Sequence, residues 1–238
     1  MRLLDLSFAT PEENLACDEA LLNSCETDGG DEILRFWESP SHFVVLGYSN
    51  RAETEVQLNH CHEMNIPVLR RCSGGGTVLQ GPGCLNYSVV LRIDSPLESI
   101  TETNCYVMRR NREALQSLVA DPVEIRGHTD LAINELKFSG NSQRRRRHFL
   151  LFHGSFLLSL DLALLDTLLK FPSREPEYRQ GRSHRQFLTL LPAPAEKIKG
   201  ALRAAWKAEQ PLHAVPHTAI AMLVHNRYSK QEWNAGSR

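Results

Sequence analysis

No apolar run in this sequence approaches the ~20 residues that cross a bilayer. Phe149-Leu150-Leu151-Phe152 is representative, so no membrane association is expected. Neither charge sign is in surplus: 27 basic side chains face 28 acidic ones for a formal net charge of −1. That removes any broad bias toward nucleic acid or anionic lipid, and electrostatic recognition must be local. Cysteine is sparse and unpaired. The six residues are scattered without a CxxC or zinc-ribbon spacing, and no secretory leader pattern opens the chain, so they read as reduced thiols of a cytoplasmic protein. A zinc site from Cys61, His62 and Cys72 lacks paired ligands and a fourth member. Also missing are a GxSxG elbow, a cysteine-protease signature and, after the glycines, the Lys-Ser or Lys-Thr of a Walker A loop. Nothing in the sequence makes two acids converge, which leaves a paired-carboxylate hydrolase unsupported. At 238 residues the chain can bury a sizeable core, and one large domain, or one with a small appendage, is expected.

What the sequence does carry is Arg70-Arg71-Cys72-Ser73-Gly74-Gly75-Gly76-Thr77-Val78-Leu79, followed by Gly83-Cys84-Leu85-Asn86-Tyr87-Ser88. Three consecutive glycines exceed the needs of a turn. Without Cβ atoms, successive N–H groups can turn toward one anion, and Arg70 and Arg71 bring positive charge to the same place. The plainer alternative is a glycine-rich hairpin between Ile66-Pro67-Val68-Leu69 and Tyr87-Ser88-Val89-Val90-Leu91.

A second block runs from the strand Thr129-Asp130-Leu131-Ala132-Ile133 through a tight turn at Asn134-Glu135 to Lys137, which enters a loop of small residues, Ser139-Gly140-Asn141-Ser142. Arg144 to Arg147 form a basic run, either a solvated face or a meeting point for an acidic partner. His153 follows an apolar strand, where a lone histidine is ordinarily a satisfied structural residue. Around these blocks the spacing predicts a strand at 1–6 and a helix opened by Thr10-Pro11-Glu12-Glu13, whose Asp18 and Glu19 either point into a site or, by default, face solvent. Residues 33–37 and 42–47 read as two strands joined by the turn 39–41, with Trp37 either a ligand wall or, on burial statistics, a core residue. Helices are expected over 53–64, 103–118, 161–169, 195–207 and 217–226. The proline-bearing polar stretch 171–185 suits a site cover as well as a linker.

A glycine-lined anion loop with arginines and a separately placed lysine suits activation of a carboxylate by ATP. These residues, together with Asn14-Leu15-Ala16-Cys17-Asp18-Glu19, Gly47 with Asn50, Asp130-Leu131, His153-Gly154-Ser155 and Trp233-Asn234, resemble the lipoate–protein ligase A family. The resemblance covers essentially the whole chain. It implies an α/β (α+β, mixed-sheet) biotin/lipoate–protein ligase catalytic domain related to class II aminoacyl-tRNA synthetases, spanning 1–238 without the family's C-terminal accessory domain. The implied reaction turns lipoate and ATP into lipoyl-adenylate and pyrophosphate, with Mg2+, then passes the lipoyl group to a lysine of an acceptor lipoyl domain. Acceptors of the 2-oxoacid dehydrogenase E2 or glycine cleavage H protein type are implied, with a separate accessory-domain polypeptide as a possible partner. Lys137 matches the family's catalytic lysine, in an electrostatic role. Arg71, Ser73, Gly74, Gly75, Gly76, Thr77, Val78, Leu79, Asn86, Asp130, Ser139, Gly140 and His153 match its substrate and nucleotide contacts, and no metal ligand is assigned. Acyltransferase cousins instead use a cysteine, after the lysine in one branch and well before it in another, about where Val123 stands here; no cysteine follows Lys137. Octanoyl or lipoyl transfer between carriers or from preformed lipoyl-adenylate is thus the alternative. A non-catalytic lipoyl-carrier-binding protein is a further one, which the intact arginine, glycine and lysine set disfavours. Biotin is disfavoured because the glycine loop differs.

Overall fold

The computed structural model of the chain describes residues 1–236. Its strands are β1 (Arg2–Asp5), β2 (Ile33–Trp37), β3 (Phe43–Leu46), β4 (Val68–Arg70), β5 (Val78–Gln80), β6 (Cys84–Arg92), β7 (Glu124–Arg126), β8 (Asp130–Ile133), β9 (Leu136–Arg145), β10 (Phe149–Leu157) and β11 (Gln210–Pro211). Eight of them form one sheet in the order β11-β1-β2-β6-β10-β9-β8-β7, and β4-β3-β5 form a second. Both sheets are mixed: β1 runs parallel to β11 and β2, and β3 parallel to β4, while the other neighbours are antiparallel.

The helices are α1 (Pro11–Asp28), α2 (Ala52–Glu55), α3 (Leu58–Glu63), α4 (Ile100–Gln116), α5 (Leu162–Leu168), α6 (His184–Phe187), α7 (Ala195–Trp206), α8 (His217–Leu223) and α9 (Gln231–Asn234). None of the described helices is long and apolar enough to cross a membrane. Three cores order the layers. On one face of the large sheet Phe36, Tyr87, Val89, Phe152 and Phe156 pack against α4 and α7. Its other face meets α1, α8 and the small sheet through Ile33, Trp37, Val45, Val90 and Leu151. Beyond the small sheet, Val44, Leu46 and Leu79 pack on α2, α3 and α5.

α1 begins as its sequence dictates, with Thr10 and Glu13 in a reciprocal capping box, Pro11 in the first turn and Gly29 closing the helix in the left-handed region. The Asn134-Glu135 turn is also as expected: both residues have positive φ, 51° and 62°, matching the right-handed twist of β8 and β9.

Elsewhere long-range pairing overrides the local reading. β2 and β3 are no hairpin; β2 lies between β1 and β6, and β3 is the centre of the small sheet. The helix expected over 53–64 divides into α2 and α3 at Val56, which bridges to Leu169. The small residues 139–142 are not a loop, because they lie within β9 and pair with 153–156 of β10. The last expected helix ends early as α8 and passes into a single π turn, Val224–Tyr228. Three of the four arginines in the basic run have partners within the chain, while Arg146 and Arg147 stay exposed. Arg145 donates to Leu97 O and Glu98 O, Arg144 lies 5.4 Å over the Tyr48 ring, and Arg146 donates to Asn23.

Candidate active site

Two rows of side chains cross the large sheet on the face toward α1. The register places Asp130, Gly140, Ser155, Asn86 and Trp37 in one line, and Ser142, His153, Ser88 and Arg35 in the next. Because residues two apart share a face of a strand, both rows point the same way. Lys137 reaches this face through a β-bulge. Leu131 pairs with Ser139 but Ala132 with Lys137, so Phe138 is an extra residue. Simple alternation would put Lys137 opposite Gly140; the bulge turns it to the same side and sends Phe138 into the core.

The lysine lies along the strand. Its Nζ is 2.8 Å from Asp130 Oδ1, and a Cβ on Gly140 would stand 2.8 Å from that nitrogen, so the bare glycine is what lets the side chain lie flat. Tyr178 donates its hydroxyl to Asp130 Oδ2 at 2.9 Å. Burial and the Asp130 charge push the phenol well above its ordinary value, which keeps it a neutral donor.

Above the second row, a chain of polar groups ties the glycine loop to the sheet. Arg35 donates to Asp18 Oδ1 at 2.6 Å, joined there by Ser88 Oγ at 3.0 Å. Asp18 Oδ2 is 3.0 Å from His153 Nδ1, and His153 Nε2 is 2.5 Å from Ser73 Oγ. Burial alone would raise the Asp18 carboxyl, but Arg35 and His153 outweigh it and hold it below the ordinary carboxylate range. An ionised Asp18 fixes the proton on Nδ1 and leaves Nε2 to accept from Ser73. Ser73 Oγ accepts in turn from Arg71 Nε at 3.1 Å.

The two arginines, expected to bring positive charge to an anion, spend their donors on backbone carbonyls. Arg70 is fully buried and donates to the carbonyls of Gly47, Tyr48, Asn50, Trp233, Asn234 and Gly236, which makes it a brace. Arg71 is buried too and pulled down to about 10 by burial; it donates to Gly74 O at 2.5 Å and Gly76 O at 2.8 Å. Ser142 Oγ also donates to Gly74 O, at 2.9 Å. Carbonyls of the loop are thus occupied from within. Among the described residues no acceptor takes the N–H of Gly74, Gly75 or Gly76, and a Cβ on Gly74 or Gly76 would meet nothing within 4 Å. Three unpaired N–H groups, with open space at Gly74 and Gly76 and the Arg71 guanidinium against Gly75, suit an anion.

The fold therefore brings together Lys137, Asp130, Gly140, Asn86, His153, Ser73 and the glycine loop. It does not bring Leu79, which is buried in the core on the far side of the small sheet, nor Ser139, which pairs with Leu131 on the opposite face. Thr77 and Val78 lead from the loop into β5, and Thr77 Oγ1 is buried without a partner. Sequence reasoning took solvent as the default for Asp18 and Glu19 over a place in a site, yet both are among the most buried charged groups. The signal was present: Asn14 and Asp18, one turn apart, are enclosed by Leu15, Ala16, Cys17, Leu21 and Leu22, so their helix has no dry side opposed to a wet one. Arg35, Ser88 and Tyr178 were also missed, and only register and packing identify them.

Cysteine offers little nucleophilicity here. Burial pushes Cys17, Cys72 and Cys84 up to about 12 and Cys25 to about 11, and raises Cys61. Only Cys105, on α4, is exposed. Cys61 and Cys72 lie in different cores.

Residues 10–199 match the sequence profile of the lipoyl protein ligase A/B catalytic domain. The chain is 30% identical over 195 residues to octanoyltransferase LipM of Carboxydothermus hydrogenoformans, covering 75% of this chain and 72% of that protein. Its fold is similar to a bipartite lipoate protein ligase solved with its E2 lipoyl domain from Thermoplasma acidophilum, with a TM-score of 0.79, 28% identity, and coverage of 100% of this chain and 96% of that one. It is likewise similar to a lipoate-protein ligase A bound with ATP, with a TM-score of 0.81, 27% identity, and coverage of 100% and 99%.

Proposed function

This chain belongs to the lipoyl protein ligase A/B catalytic domain family, and from that premise we propose that it activates lipoate with ATP and passes the lipoyl group to a lysine of an acceptor lipoyl domain. In the first step a lipoate carboxylate oxygen attacks the α-phosphorus and pyrophosphate leaves. The unpaired glycine N–H groups receive phosphate oxygens, and the Lys137 ammonium faces the acyl carbonyl and the phosphate. In the second, the acceptor amine attacks the carbonyl and AMP departs, with Lys137 stabilising the carbonyl oxygen.

Among the described residues no three His, Cys, Asp or Glu groups cluster to hold a metal. Mg2+ is ordinarily held by one or two carboxylates and the substrate's own phosphates; both Asp130 oxygens are taken, by Lys137 and Tyr178, so the site fits an ion carried in on the nucleotide phosphates. When bound, it neutralises the charge of the departing pyrophosphate.

The observation that carries the ligase reading is the thiol inventory. No cysteine follows Lys137, Val123 occupies the other candidate position and is buried, and all thiols but one are buried with raised values. A thioester relay needs a thiolate near the lysine. The ATP-bound relative supports a nucleotide in this fold, and the bipartite relative supports an E2-type lipoyl-domain acceptor and an accessory polypeptide; an H protein-type acceptor rests on the family resemblance alone. Free thiols in all six positions fit a reducing compartment, and we place the chain in the cytoplasm. The similarity to an octanoyltransferase favours a second reading, acyl transfer between carriers or from preformed lipoyl-adenylate.

Lipoate-dependent exchange of labelled pyrophosphate into ATP separates the two, with octanoate and biotin in parallel and with a bipartite ligase's accessory polypeptide added to a second set. Exchange with lipoate, lost in Lys137→Ala, is the expected result. No exchange in either set, with octanoyl transfer between carrier proteins intact, would replace this reading by the second.

A further inference from the structure

Residues 171–183 join α5 to α6 with one 3-10 turn, Glu177–Arg179, and pack beside β8 and β9. The segment holds itself together. Arg179 Nε donates to Arg182 O at 2.9 Å and Arg182 Nε to Arg179 O at 3.0 Å. The Arg179 guanidinium lies 4.8 Å from the Phe171 ring and 5.0 Å from that of Phe187. Arg182 Nη2 ties the Tyr178 and Glu135 carbonyls together, and the Tyr178 ring packs on Phe187 at 5.0 Å. None of these contacts uses the Tyr178 hydroxyl. That hydroxyl makes one bond, to the Asp130 oxygen not occupied by Lys137.

We propose that Tyr178 is a positioning residue for acyl activation, acting on Lys137 through Asp130; the proposal rests on the adenylating role of Lys137 given above. A carboxylate has two acceptor oxygens, and the three N–H groups of an ammonium beside it can turn toward either. With Tyr178 on Oδ2, Asp130 gives Lys137 one acceptor and holds it from one side. Asp130 is the acceptor of Lys137 Nζ, so the remaining N–H groups are left for the acyl carbonyl and phosphate oxygens. Removing the hydroxyl frees Oδ2 for the lysine, which is then held too tightly and turned from the substrate. Tyr178 remains neutral because burial and Asp130 both raise its phenol, so it acts as a fixed donor and not as a base.

The test compares wild type, Tyr178→Phe, Asp130→Asn and the double variant, by lipoate-dependent pyrophosphate exchange and by lipoyl transfer from added lipoyl-adenylate. Tyr178→Phe is expected to lower kcat about tenfold with KM for ATP little changed, and to add nothing when Asp130 is already Asn. A Tyr178→Phe enzyme at the wild-type rate, or effects that multiply in the double variant, would overturn the proposal. Two further readouts do not require catalysis. Trypsin cleavage after Arg174, Arg179, Arg182 and Arg185 should be as slow in Tyr178→Phe as in wild type, since faster cutting means the hydroxyl merely fastens the segment. Lys137 should react several-fold more slowly with an amine-directed acetylating reagent, read by mass spectrometry. Unchanged Lys137 reactivity refutes the coupling even in a chain that neither adenylates nor transfers, whereas absence of both activities in wild type refutes only the ligase reading.

Discussion

Gly140→Ala separates what the site needs from what the fold needs. An ideal Cβ at this position would stand 2.8 Å from Lys137 Nζ, 2.9 Å from Lys137 Cε and 3.7 Å from Asp130 Oδ1, against 3.4–4 Å for ordinary contact. The obstructing atoms are the end of a flexible side chain, so the lysine tip withdraws by roughly 0.5–1 Å and the backbone stays, at a cost of about 1 kcal/mol or less. The fold loses little. A partly exposed Lys–Asp pair contributes about 0–1 kcal/mol, and alanine restores about 0.5–1 kcal/mol of backbone entropy that glycine forfeits in a strand. Thermal unfolding should therefore shift by no more than about 6 °C, given about 2–4 °C per kcal/mol for a domain of this size. Catalysis loses far more, because removing one pre-aimed donor from a transition state costs on the order of 10²–10³ in rate, about 2.7–4 kcal/mol. Calorimetry and lipoate-dependent pyrophosphate exchange on the same preparation decide the matter. An alanine variant exchanging within about twofold of wild type would show that Lys137 does not act from the space over Gly140.

Asp18→Asn strands the buried Arg35 charge and should destabilise by about 3–5 kcal/mol. Because the folded carboxyl lies below its ordinary value of about 3.9, the wild-type contribution is complete above that pH and fades as pH falls through the lower folded value. Urea titrations from neutral pH downward should thus show a shallower acid limb in the variant. Gly47→Ala would put a Cβ 2.1 Å from Gly75 O and 2.5 Å from Asn50 Oδ1; it should push the glycine loop aside, costing about 1–3 kcal/mol of stability and weakening ATP binding in calorimetric titration. Iodoacetamide at neutral pH should label Cys105 in the native chain and spare the buried thiols, with activity retained. Inactivation tracking modification of Cys72 or Cys84 would restore a thioester route.

How far local signals reach is clear from particular elements. The start of α1 and the Asn134-Glu135 turn were legible because a cap and a two-residue turn are completed within four residues. The glycine loop was legible as a place of close backbone approach because an unbranched backbone is a local property. β3 was misread as the partner of β2 because two adjacent apolar runs separated by Ser-Pro-Ser satisfy a hairpin pattern whichever sheet each enters. The 139–142 stretch was read as a loop from its small side chains, although β10 and β8 supply the pairing that extends it.

By itself the sequence determined the family pattern, the cap of α1, the β8–β9 turn, the glycine loop and the presence of a lysine after that turn. These depend on residue type and short spacing. Only the tertiary structure decided that Asp18 lies inside, that Arg70 and Arg71 spend their donors on carbonyls, that Leu79 and Ser139 turn away, and that Tyr178 reaches Asp130. The side of Lys137 is the clearest case. Period-two alternation from Gly140 sends it to the wrong face, and the bulge that corrects it arises because Phe138 gains a buried place among Leu131 and Phe156, a gain that exists only once the sheet and α4 have closed over it.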